Sequence, residues 1–542
     1  MRHAPTMTAP GESISQRPPS ADPPAGTPQA TGSGRPSASA AALAGVAAGA
    51  LGLGVSELIA GLIPGATSLV AAIGQLVIDL QPPGAKDLVV GLFGTNDKLA
   101  LETTVVVVAL LVGAGLGVLA RRSFALAAAG YAGFGVLGFA ATLADPLANP
   151  AIVAAEAAVA VLVAVQSLAW LLARTPGSTP AVPGAVTHPG RRTFLLRTGA
   201  VGIGALAAGW AGRSLIDRAT TVPAGVAVRY PPATDTVAPV SPNQDLSATI
   251  PDLSTIVTPN ERFYRIDTSL IAPTVDLATW SLRVHGMVER ETTLAWDELL
   301  ALPMFEQYVT IACVSNEVGG GLVGNAKWTG VRLRDVLDLA GVMDGATQLV
   351  GRSIDGWTAG MPTAWVMDPQ REPMIAVRMN DAPLPVNHGF PARLIVPGLY
   401  GYVSATKWLT ELELTTLDGF DAYWVPLGWA KEAPILTQSR IDTPRGTVPA
   451  GRIAIAGVAW APDRGISRVE VSIDDTWFDA ELSSPIADTT WVQWVYRWDG
   501  TPGQHTVRVR ATDGTGAVQE ERVTPPAPDG ARGYDVVRLN VT

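Results

Sequence analysis

The chain has 542 residues, enough for three or four domains of ordinary size, and only 16% of them are charged. So low a charged fraction indicates membrane segments, and the net charge of −10 argues against a nucleic-acid partner. The chain contains one cysteine, which excludes an internal disulfide framework, a cysteine-rich iron–sulfur cluster and a CxxCH haem site. Any thiol chemistry must therefore use Cys313.

The N-terminal part is dominated by apolar stretches. Residues 1–39 are rich in Pro, Ser, Gly, Thr and Ala and are predicted to form a disordered tail. Five stretches of membrane length follow, at residues 40–63, 99–120, 124–143, 152–173 and 194–211. The apolar segments 68–80 and 88–93 are too short to cross a membrane and are predicted to be interfacial or re-entrant helices. Residues 40–212 are thus a predicted transmembrane region of about five spans.

Arginines set the predicted orientation of these spans. The pairs Arg121-Arg122 and Arg191-Arg192, with Arg174, fall on one side if residues 64–98 do not cross. Positive charge favours the cytoplasm, so the N-terminus is predicted inside and everything after residue 211 outside. The run 190–196 also resembles a twin-arginine export signal, and plain orientation by positive charge is an equal alternative. The expected location is a multi-pass cell-membrane protein whose large C-terminal part is extracytoplasmic.

The spans lack histidine. The five histidines are His3, His188, His285, His388 and His505, and all lie outside the apolar stretches. Because a b-type haem in the bilayer normally needs histidine ligands from the helices, no haem is expected in the membrane part. The spans are instead expected to be an anchor or a site for a quinone or protein partner. Glu57 and Glu156 are the main candidate intramembrane charges.

The C-terminal half has two different patterns after a predicted linker at residues 213–257. Residues 258–428 mix a predicted strand at 282–286 with predicted helices at 294–300 and 331–339, which is typical of an α+β domain. From about residue 433 apolar residues alternate, as in Val469, Val471 and Ile473. Such strands, separated by turn signals, predict an immunoglobulin-like β-sandwich over residues 429–542.

Cys313 stands at the end of a predicted buried strand. The apolar run at residues 309–312 precedes it, and Gly319, Gly320 and Gly321 follow in a predicted turn. A thiol facing a loop with little side-chain bulk can approach a large ligand closely. The alternative is a structural cysteine that packs as a small hydrophobe.

Three basic residues stand in separate segments of the α+β domain. His388, Arg393 and Lys407 together would form an anion cradle, because charge-assisted bonds to phosphate are strong and Arg binds it in bidentate fashion. The alternative is that these three residues lie on a solvated surface, as most charged residues do. Here the flanking residues are apolar, as in Arg393-Leu394-Ile395-Val396, which favours loops that face inward.

The order of these segments resembles the sulfite oxidase family of molybdenum-cofactor oxidoreductases. The matching stretches are residues 258–264, the Cys313 loop, and residues 327–333, 387–391 and 406–409. The resemblance covers about residues 250–542, where the predicted sandwich is similar to that family's dimerisation domain, and it does not cover the membrane region. The predicted fold is therefore multidomain: an α-helical transmembrane bundle, an α+β molybdopterin-binding domain of the sulfite oxidase fold, and an immunoglobulin-like sandwich.

The resemblance implies a molybdenum–molybdopterin cofactor, with Cys313 as the protein ligand of the metal. Two-electron oxygen-atom transfer would be the reaction. The implied cofactor-binding residues are Asn260, Phe263, Tyr264, Cys313, Asp355, His388, Arg393, Ala405, Thr406 and Lys407. His388, Arg393 and Lys407 would hold the pterin phosphate. The candidate catalytic residues are Cys313, Asn316, Glu317 and Tyr423.

The sequence departs from the family pattern near the substrate. The cysteine is followed by Val314-Ser315-Asn316-Glu317-Val318, where sulfite oxidases have an Asn-Arg-Arg sequence. The family's active-site tyrosine would align near Trp429, and Tyr423 could serve in its place. The leading substrate is a small sulfur oxyanion or a related compound, and the runner-up activity is reduction of a neutral S-oxide of the methionine sulfoxide type. An alternative from another functional class is a membrane receptor or adhesion protein that binds its partner through the β-sandwich. The expected partners are a small-molecule substrate, the membrane, an unidentified electron partner (a quinone, cytochrome or other redox protein) and a second copy in a homodimer.

Overall fold

The computed structural model describes residues 37–80, 97–143, 145–173, 189–219 and 228–542. Most of the predicted disordered tail, the short apolar segment 88–93 and the loop with Arg174 lie outside the described residues. Side chains at the start of the last helix, Arg191 included, are likewise outside the description. The described chain contains a helical bundle, an α+β domain and a C-terminal β unit.

The bundle contains six helices among the described residues. They are α1 (Ala38–Leu62), α2 (Leu69–Asp79), α3 (Asp97–Ala120), α4 (Phe124–Thr142), α5 (Pro150–Leu172) and α6 (Pro189–Ala219). All except α2 are long and apolar enough to cross a membrane, which confirms the five predicted helical stretches by length and composition. Helix α6 runs to Ala219, so the first residues of the predicted linker are helical. There Arg213 pairs with Glu102 at 3.1 Å and with Asp217, one turn on, at 3.7 Å.

Glycines allow the helices to approach closely and show their relative directions. A Cβ on Gly45 would lie 2.0 Å from the carbonyl oxygen of Gly113, so α1 and α3 pack backbone to backbone. The contact pairs are Ala41 with Gly117 and Gly45 with Gly113 between α1 and α3, and Gly54 with Ala205 and Gly61 with Gly212 between α1 and α6. Helix α1 is therefore antiparallel to α3 and parallel to α6.

The α+β domain packs on one end of this bundle. Lys98, at the start of α3, forms an ion pair with Asp267 and donates a hydrogen bond of 2.6 Å to the carbonyl oxygen of Ser269. Tyr423 Oη lies 3.4 Å from Asp79 Oδ1 at the end of α2. The docking end is thus where α1 and α6 finish and where α3 begins. Arg121 follows the other end of α3, away from the α+β domain.

The α+β domain is built from two five-stranded sheets and short helices. The first sheet has the order β2-β1-β10-β5-β6, with β1 (Ser281–Gly286), β2 (Thr292–Ala295), β5 (Gln348–Ser353), β6 (Thr358–Pro362) and β10 (Leu409–Thr415). The second has the order β3-β4-β7-β8, with β9 also paired to β7, and contains β3 (Met304–Ala312), β4 (Val323–Arg332), β7 (Met374–Met379), β8 (Ala382–Pro383) and β9 (Arg393–Ile395). The helices are α7 (Trp296–Leu300), α8 (Leu333–Ala340), α9 (Thr363–Val366) and α10 (Gly401–Ser404).

Sequence periodicity predicted these elements with two boundary errors. The strand predicted at residues 282–286 is confirmed as β1. The helix predicted at 331–339 begins only at Leu333, because Val331 and Arg332 pair with Ile375 and Met374 of β7. The helix predicted at 294–300 begins at Trp296, since the preceding residues pair with β1. In both cases strand pairing with distant residues overrides local helical spacing.

The C-terminal β unit consists of two sheets that enclose one apolar core. One sheet has the order β11-β13-β17-β16 and the other β12-β19-β18-β14-β15. The strands are β11 (Gln438–Thr443), β12 (Gly446–Val448), β13 (Gly451–Trp460), β14 (Ile466–Ile473), β15 (Thr476–Asp479), β16 (Glu481–Leu482), β17 (Val492–Gly500), β18 (Gly503–Asp513) and β19 (Asp535–Val541). Val469, Val471 and Ile473 are buried in the shared core, which confirms the alternation seen in the sequence.

Candidate functional site

Cys313 directly follows β3, at the mouth of the β3–β4 hairpin. The hairpin fixes it there because Ala312 pairs with Val323 and the Cys313 amide donates to the carbonyl oxygen of Leu322 at 2.9 Å. The side chain is 8% exposed, and its Sγ lies 2.9 Å from Ser315 Oγ. The thiol thus sits at the edge of a rigid sheet and not on a loose loop.

The C-terminal β unit holds the glycine-rich loop that follows Cys313. Arg440 of β11 is buried and donates a hydrogen bond of 2.8 Å to the carbonyl oxygen of Gly320. Gly319 has φ of +73°, and a Cβ there would lie 2.5 Å from a carboxylate oxygen of Asp535. A side chain at this position would be strained and would clash, which explains the glycine. The β unit therefore fixes the conformation of the thiol loop.

Arg393 and Lys407 are buried cations of the same cavity. Arg393, at the start of β9, is 3% exposed and donates from Nη1 to the carbonyl oxygen of His388 at 3.0 Å. Its guanidinium also lies over the ring of Trp328, 5.2 Å from the centroid. Lys407 Nζ donates to Asp267 Oδ2 and to the carbonyl oxygen of Asn387, both at 3.0 Å. The structure thus brings Arg393 and Lys407 from separate segments of the chain to one cavity, as predicted.

Burial controls the protonation of the basic cluster. Burial lowers the pKa of Arg393 to about 10 and that of Lys407 to about 8. Burial, with Lys407 and Arg393 nearby, lowers the pKa of His388 to about 4, so its imidazole is neutral at pH 7. Burial alone would raise the pKa of Asp267, but Lys407, Lys98 and Arg265 hold it well below its usual range. Asp267 is therefore an ionised carboxylate that neutralises Lys407.

The cavity beside Cys313 has about 860 Å³ of space, including its open mouth. Its wall carries the cations Arg393 and Lys407 and the carboxylates Asp267 and Asp355. Burial raises the pKa of Asp355. Aromatic side chains complete much of the wall: Phe263, Tyr264, Trp357, Tyr402, Trp408, Trp424 and Trp429. A cavity of this size, mostly apolar with a few convergent charges, suits a large organic ligand.

Two observations test whether the wall fits a molybdopterin. Among the described residues no carboxylate forms an ion pair with Arg393, so this cation is buried without a counter-charge. A buried cation of this kind is costly unless an anion binds to it. The second observation is His388, whose Nε2 lies 3.0 Å from the carbonyl oxygen of Asn260 while its buried Nδ1 has no partner. Both features fit an anionic group such as a pterin phosphate.

The structure brings together some of the predicted site residues. Those on the cavity wall are Phe263, Tyr264, Cys313, Asp355, Arg393, Ala405 and Lys407. His388 lies behind the wall, with its ring 5.6 Å from that of Phe263. Thr406 is fully buried and donates from Oγ1 to the carbonyl oxygen of Gly351 at 3.3 Å. The Asn260 side chain bonds to Asn380 at 2.8 Å and to the carbonyl oxygen of Met379 at 3.2 Å.

Three predicted catalytic residues are not on the described cavity wall. Asn316 accepts a hydrogen bond of 2.7 Å from the Leu322 amide and so closes the thiol loop. Glu317 is exposed on that loop. Tyr423 faces a second cavity, between the α+β domain and the helical bundle. Trp429, near which the sulfite oxidase tyrosine is predicted to align, does line the first cavity.

Sequence reasoning missed Asp267 and two tryptophans of the aromatic wall, Trp357 and Trp424. Asp267 lies 140 residues before Lys407 in the chain, so no local pattern links the two. Its position just after the family-like run at residues 258–264 is the one signal that could have drawn attention to it. Arg440 was missed for a similar reason, because it acts on the thiol loop from another folding unit.

Comparison with known proteins agrees with this geometry. A family model described as an oxidoreductase molybdopterin binding domain matches residues 269–424. Mitochondrial sulfite oxidase of Homo sapiens is 30% identical over 322 residues, which are 50% of this chain and 58% of that protein. The Rattus norvegicus sulfite oxidase is 31% identical, also over 50% of this chain and 58% of that protein. Nitrate reductase [NADH] 1 of Oryza sativa subsp. japonica is 27% identical over 46% of this chain and 34% of that protein.

A solved structure also matches, the sulfane dehydrogenase SoxCD from Paracoccus pantotrophus. It is 23% identical, with a TM-score of 0.47, over 54% of this chain and 84% of that one. The family model identifies residues 269–424 of the α+β domain as a molybdopterin-binding oxidoreductase domain. Over half of its length the chain is similar to sulfite oxidases. The match spans 58% of the length of the human and rat proteins.

Proposed function

We propose that this protein is a membrane-anchored, extracytoplasmic oxidoreductase that transfers an oxygen atom between water and a small substrate in a two-electron reaction. The observation that carries the proposal is the cavity on which Cys313 and the buried cations Arg393 and Lys407 converge. When bound, a molybdenum cofactor supplies a metal that exchanges oxygen atoms and two electrons.

The chain's own residues would bind and orient that cofactor. The Cys313 thiolate is the soft ligand that such a metal accepts. Arg393 and Lys407 would hold the phosphate by charge-assisted bonds, and the unpaired Nδ1 of His388 lies in the same cluster. The rings of Phe263 and Tyr264, stacked with centroids 5.3 Å apart, would exclude water from the pterin.

The charges of the wall favour a neutral oxide as substrate. The cofactor phosphate would occupy Arg393 and Lys407, and the described lining of the cavity contains no further Lys or Arg. A sulfite dianion would therefore lack a cation partner on the wall, whereas a neutral S-oxide needs none. Trp357, Trp424 and Trp429 offer apolar contacts for such a substrate. Sulfite oxidation is the second candidate, supported by the 30% identity to a sulfite oxidase.

We also infer the setting of the domain. Arg121 and Arg122 follow the end of α3 that lies away from the α+β domain, which supports a cytoplasmic position for that end. The C-terminal β unit has two sheets around one core and is proposed to be the family's immunoglobulin-like dimerisation domain. Reducing equivalents would pass to or from a separate redox partner.

Elemental analysis of the full chain, purified from a host that makes the cofactor, tests the enzyme class. We expect about one molybdenum per chain, bound as a molybdopterin. Cys313→Ser should keep the pterin, since the phosphate cluster is intact, and lose oxygen-atom transfer. Dye-coupled assays with methionine sulfoxide and with sulfite compare the two substrates. A folded chain without molybdenum or pterin would refute the proposal and favour the receptor alternative.

A further inference from the structure

A second cavity lies between the helical bundle and the α+β domain. It has about 1040 Å³ of space, including its open part. The bundle contributes Ala71, Ala72 and Asp79 of α2, and the α+β domain contributes Ile271 and Tyr423, among others. We call it the interdomain cavity. It is large enough for a ring system with substituents.

The interdomain cavity shares a wall with the cavity of Cys313. Thr268, Asp355 and Trp357 line both cavities. The two spaces are therefore neighbours. A ligand in one would contact residues that also line the other.

The wall of the interdomain cavity suits a neutral ligand that forms hydrogen bonds. Asp79, Asp145 and Asp355 line it, and among its described lining residues there is no Lys or Arg, so an anion would be repelled. Burial, with Asp79 beside the hydroxyl, raises the pKa of Tyr423 to about 12, so it is a hydrogen-bond donor at neutral pH. Ala71, Ala72 and other apolar groups line the bundle side. Carboxylates accept from hydroxyl groups, and the Tyr423 hydroxyl, which donates a long hydrogen bond of 3.4 Å to Asp79 Oδ1, would be able to donate to a ligand carbonyl oxygen instead.

The cavity lies at one end of the apolar helices, where a lipid-soluble ligand would be able to enter. Its bundle side comes from the short helix α2 and from Ala141, Asp145 and Leu147 at and after the end of α4. The chain offers no obvious relay for electrons from the bilayer. Its single cysteine is Cys313, and no histidine lies in the apolar stretches. A carrier that transfers two electrons directly would match the two-electron chemistry of the first cavity.

We propose that the interdomain cavity binds a membrane quinone or quinol, which is the direct redox partner of the site at Cys313. This inference rests on the proposed function. With an S-oxide as substrate, the quinol loses two electrons and the two protons of its hydroxyl groups and becomes a quinone. The S–O bond of the substrate breaks, its sulfur is reduced, and the oxygen leaves with the two protons as water. Asp79 and Asp355 are placed to accept hydrogen bonds from the quinol hydroxyl groups.

The test uses the full chain in lipid nanodiscs and an azido-substituted quinone that cross-links on illumination. We expect cross-links in residues 67–79 and 268–273, suppressed by excess short-chain quinone. The Cys313→Ser protein should be labelled equally, because binding does not need the metal. Cross-links only in the cavity inside the bundle beside Ser56 and Tyr131, or no displaceable label, would overturn the inference.

Two variants on the bundle side sharpen the test. Asp79→Asn should weaken quinone binding about tenfold, since one hydrogen bond to a charged group is weakened, and Ala72→Phe should abolish binding by filling the cavity. The matched control Asp338→Asn, on the exposed face of α8, should not change it. Molybdenum content should be equal in Asp79→Asn, Ala72→Phe and Asp338→Asn, which would show that the first cavity is intact in each.

The outcomes separate the two proposals. Dye-driven turnover without displaceable quinone labelling overturns the quinone site and leaves the oxidoreductase function standing. Labelling at the predicted residues, in a protein that contains no molybdenum or pterin, supports the site and refutes the oxidoreductase function. Equal quinone affinity in Asp79→Asn, Ala72→Phe and the control would overturn the assignment of the cavity.

Discussion

Replacing Arg393 by methionine should separate cofactor binding from folding. Arg393 is 3% exposed, and burial lowers its pKa to about 10 from 12.5. That difference corresponds to about 3 kcal/mol against the charged form in the cofactor-free protein. Methionine removes this cost but leaves the carbonyl oxygens of His388 and Ala405 without their donor, at about 1 kcal/mol or more each. The two effects oppose each other, so the unfolding temperature of the cofactor-free protein should change little.

Cofactor binding should respond very differently to the same substitution. Removing one partner of a buried, hydrogen-bonded charge pair costs about 2–5 kcal/mol, which weakens binding roughly 30-fold to several thousandfold. Molybdenum by elemental analysis and pterin by fluorescence, both per chain, measure the loss. Arg332→Met is the control, because Arg332 also lies over an aromatic ring but is ion-paired with Glu372 and lies away from the cavity. Full molybdenum and pterin content in Arg393→Met would refute the phosphate role.

Two further predictions concern pH and topology. The pKa of His388 is about 4 in the cofactor-free protein and about 6.5 when unfolded, so the unfolded state binds more protons as the pH falls. The stability that depends on the neutral His388 imidazole is present above about pH 6.5 and is lost towards pH 4. The free energy of unfolding should therefore be about 2–3 kcal/mol lower at pH 4.5 than at pH 7. His388→Gln should remove this part of the decrease. A pH dependence unchanged in His388→Gln contradicts the assignment. Reporter fusions after Ala219 and within residues 174–188 should report opposite sides of the membrane, and the same side for both would exclude α6 as a span.

Local sequence patterns were enough to predict the units of this protein and several site residues. Five apolar stretches of membrane length became five long helices, because length and hydropathy need no tertiary partner to be recognised. Alternation in the C-terminal part gave strands with Val469 and Val471 in the core. Cys313 stood at the end of a strand as expected, since a buried β-branched run and a glycine turn are local signals.

The surroundings of these residues depend on contacts between distant parts of the chain. Asp267 neutralises Lys407 across 140 residues of chain, and Arg440 holds the thiol loop from another folding unit. The structure also turned Tyr423 towards the helical bundle, in a cavity that neither unit would form alone. Local patterns specify which face of a strand or helix is apolar, but not which faces meet. Partners far apart in the chain are set by packing and by pairing of buried charges, so they appear only when the units are assembled.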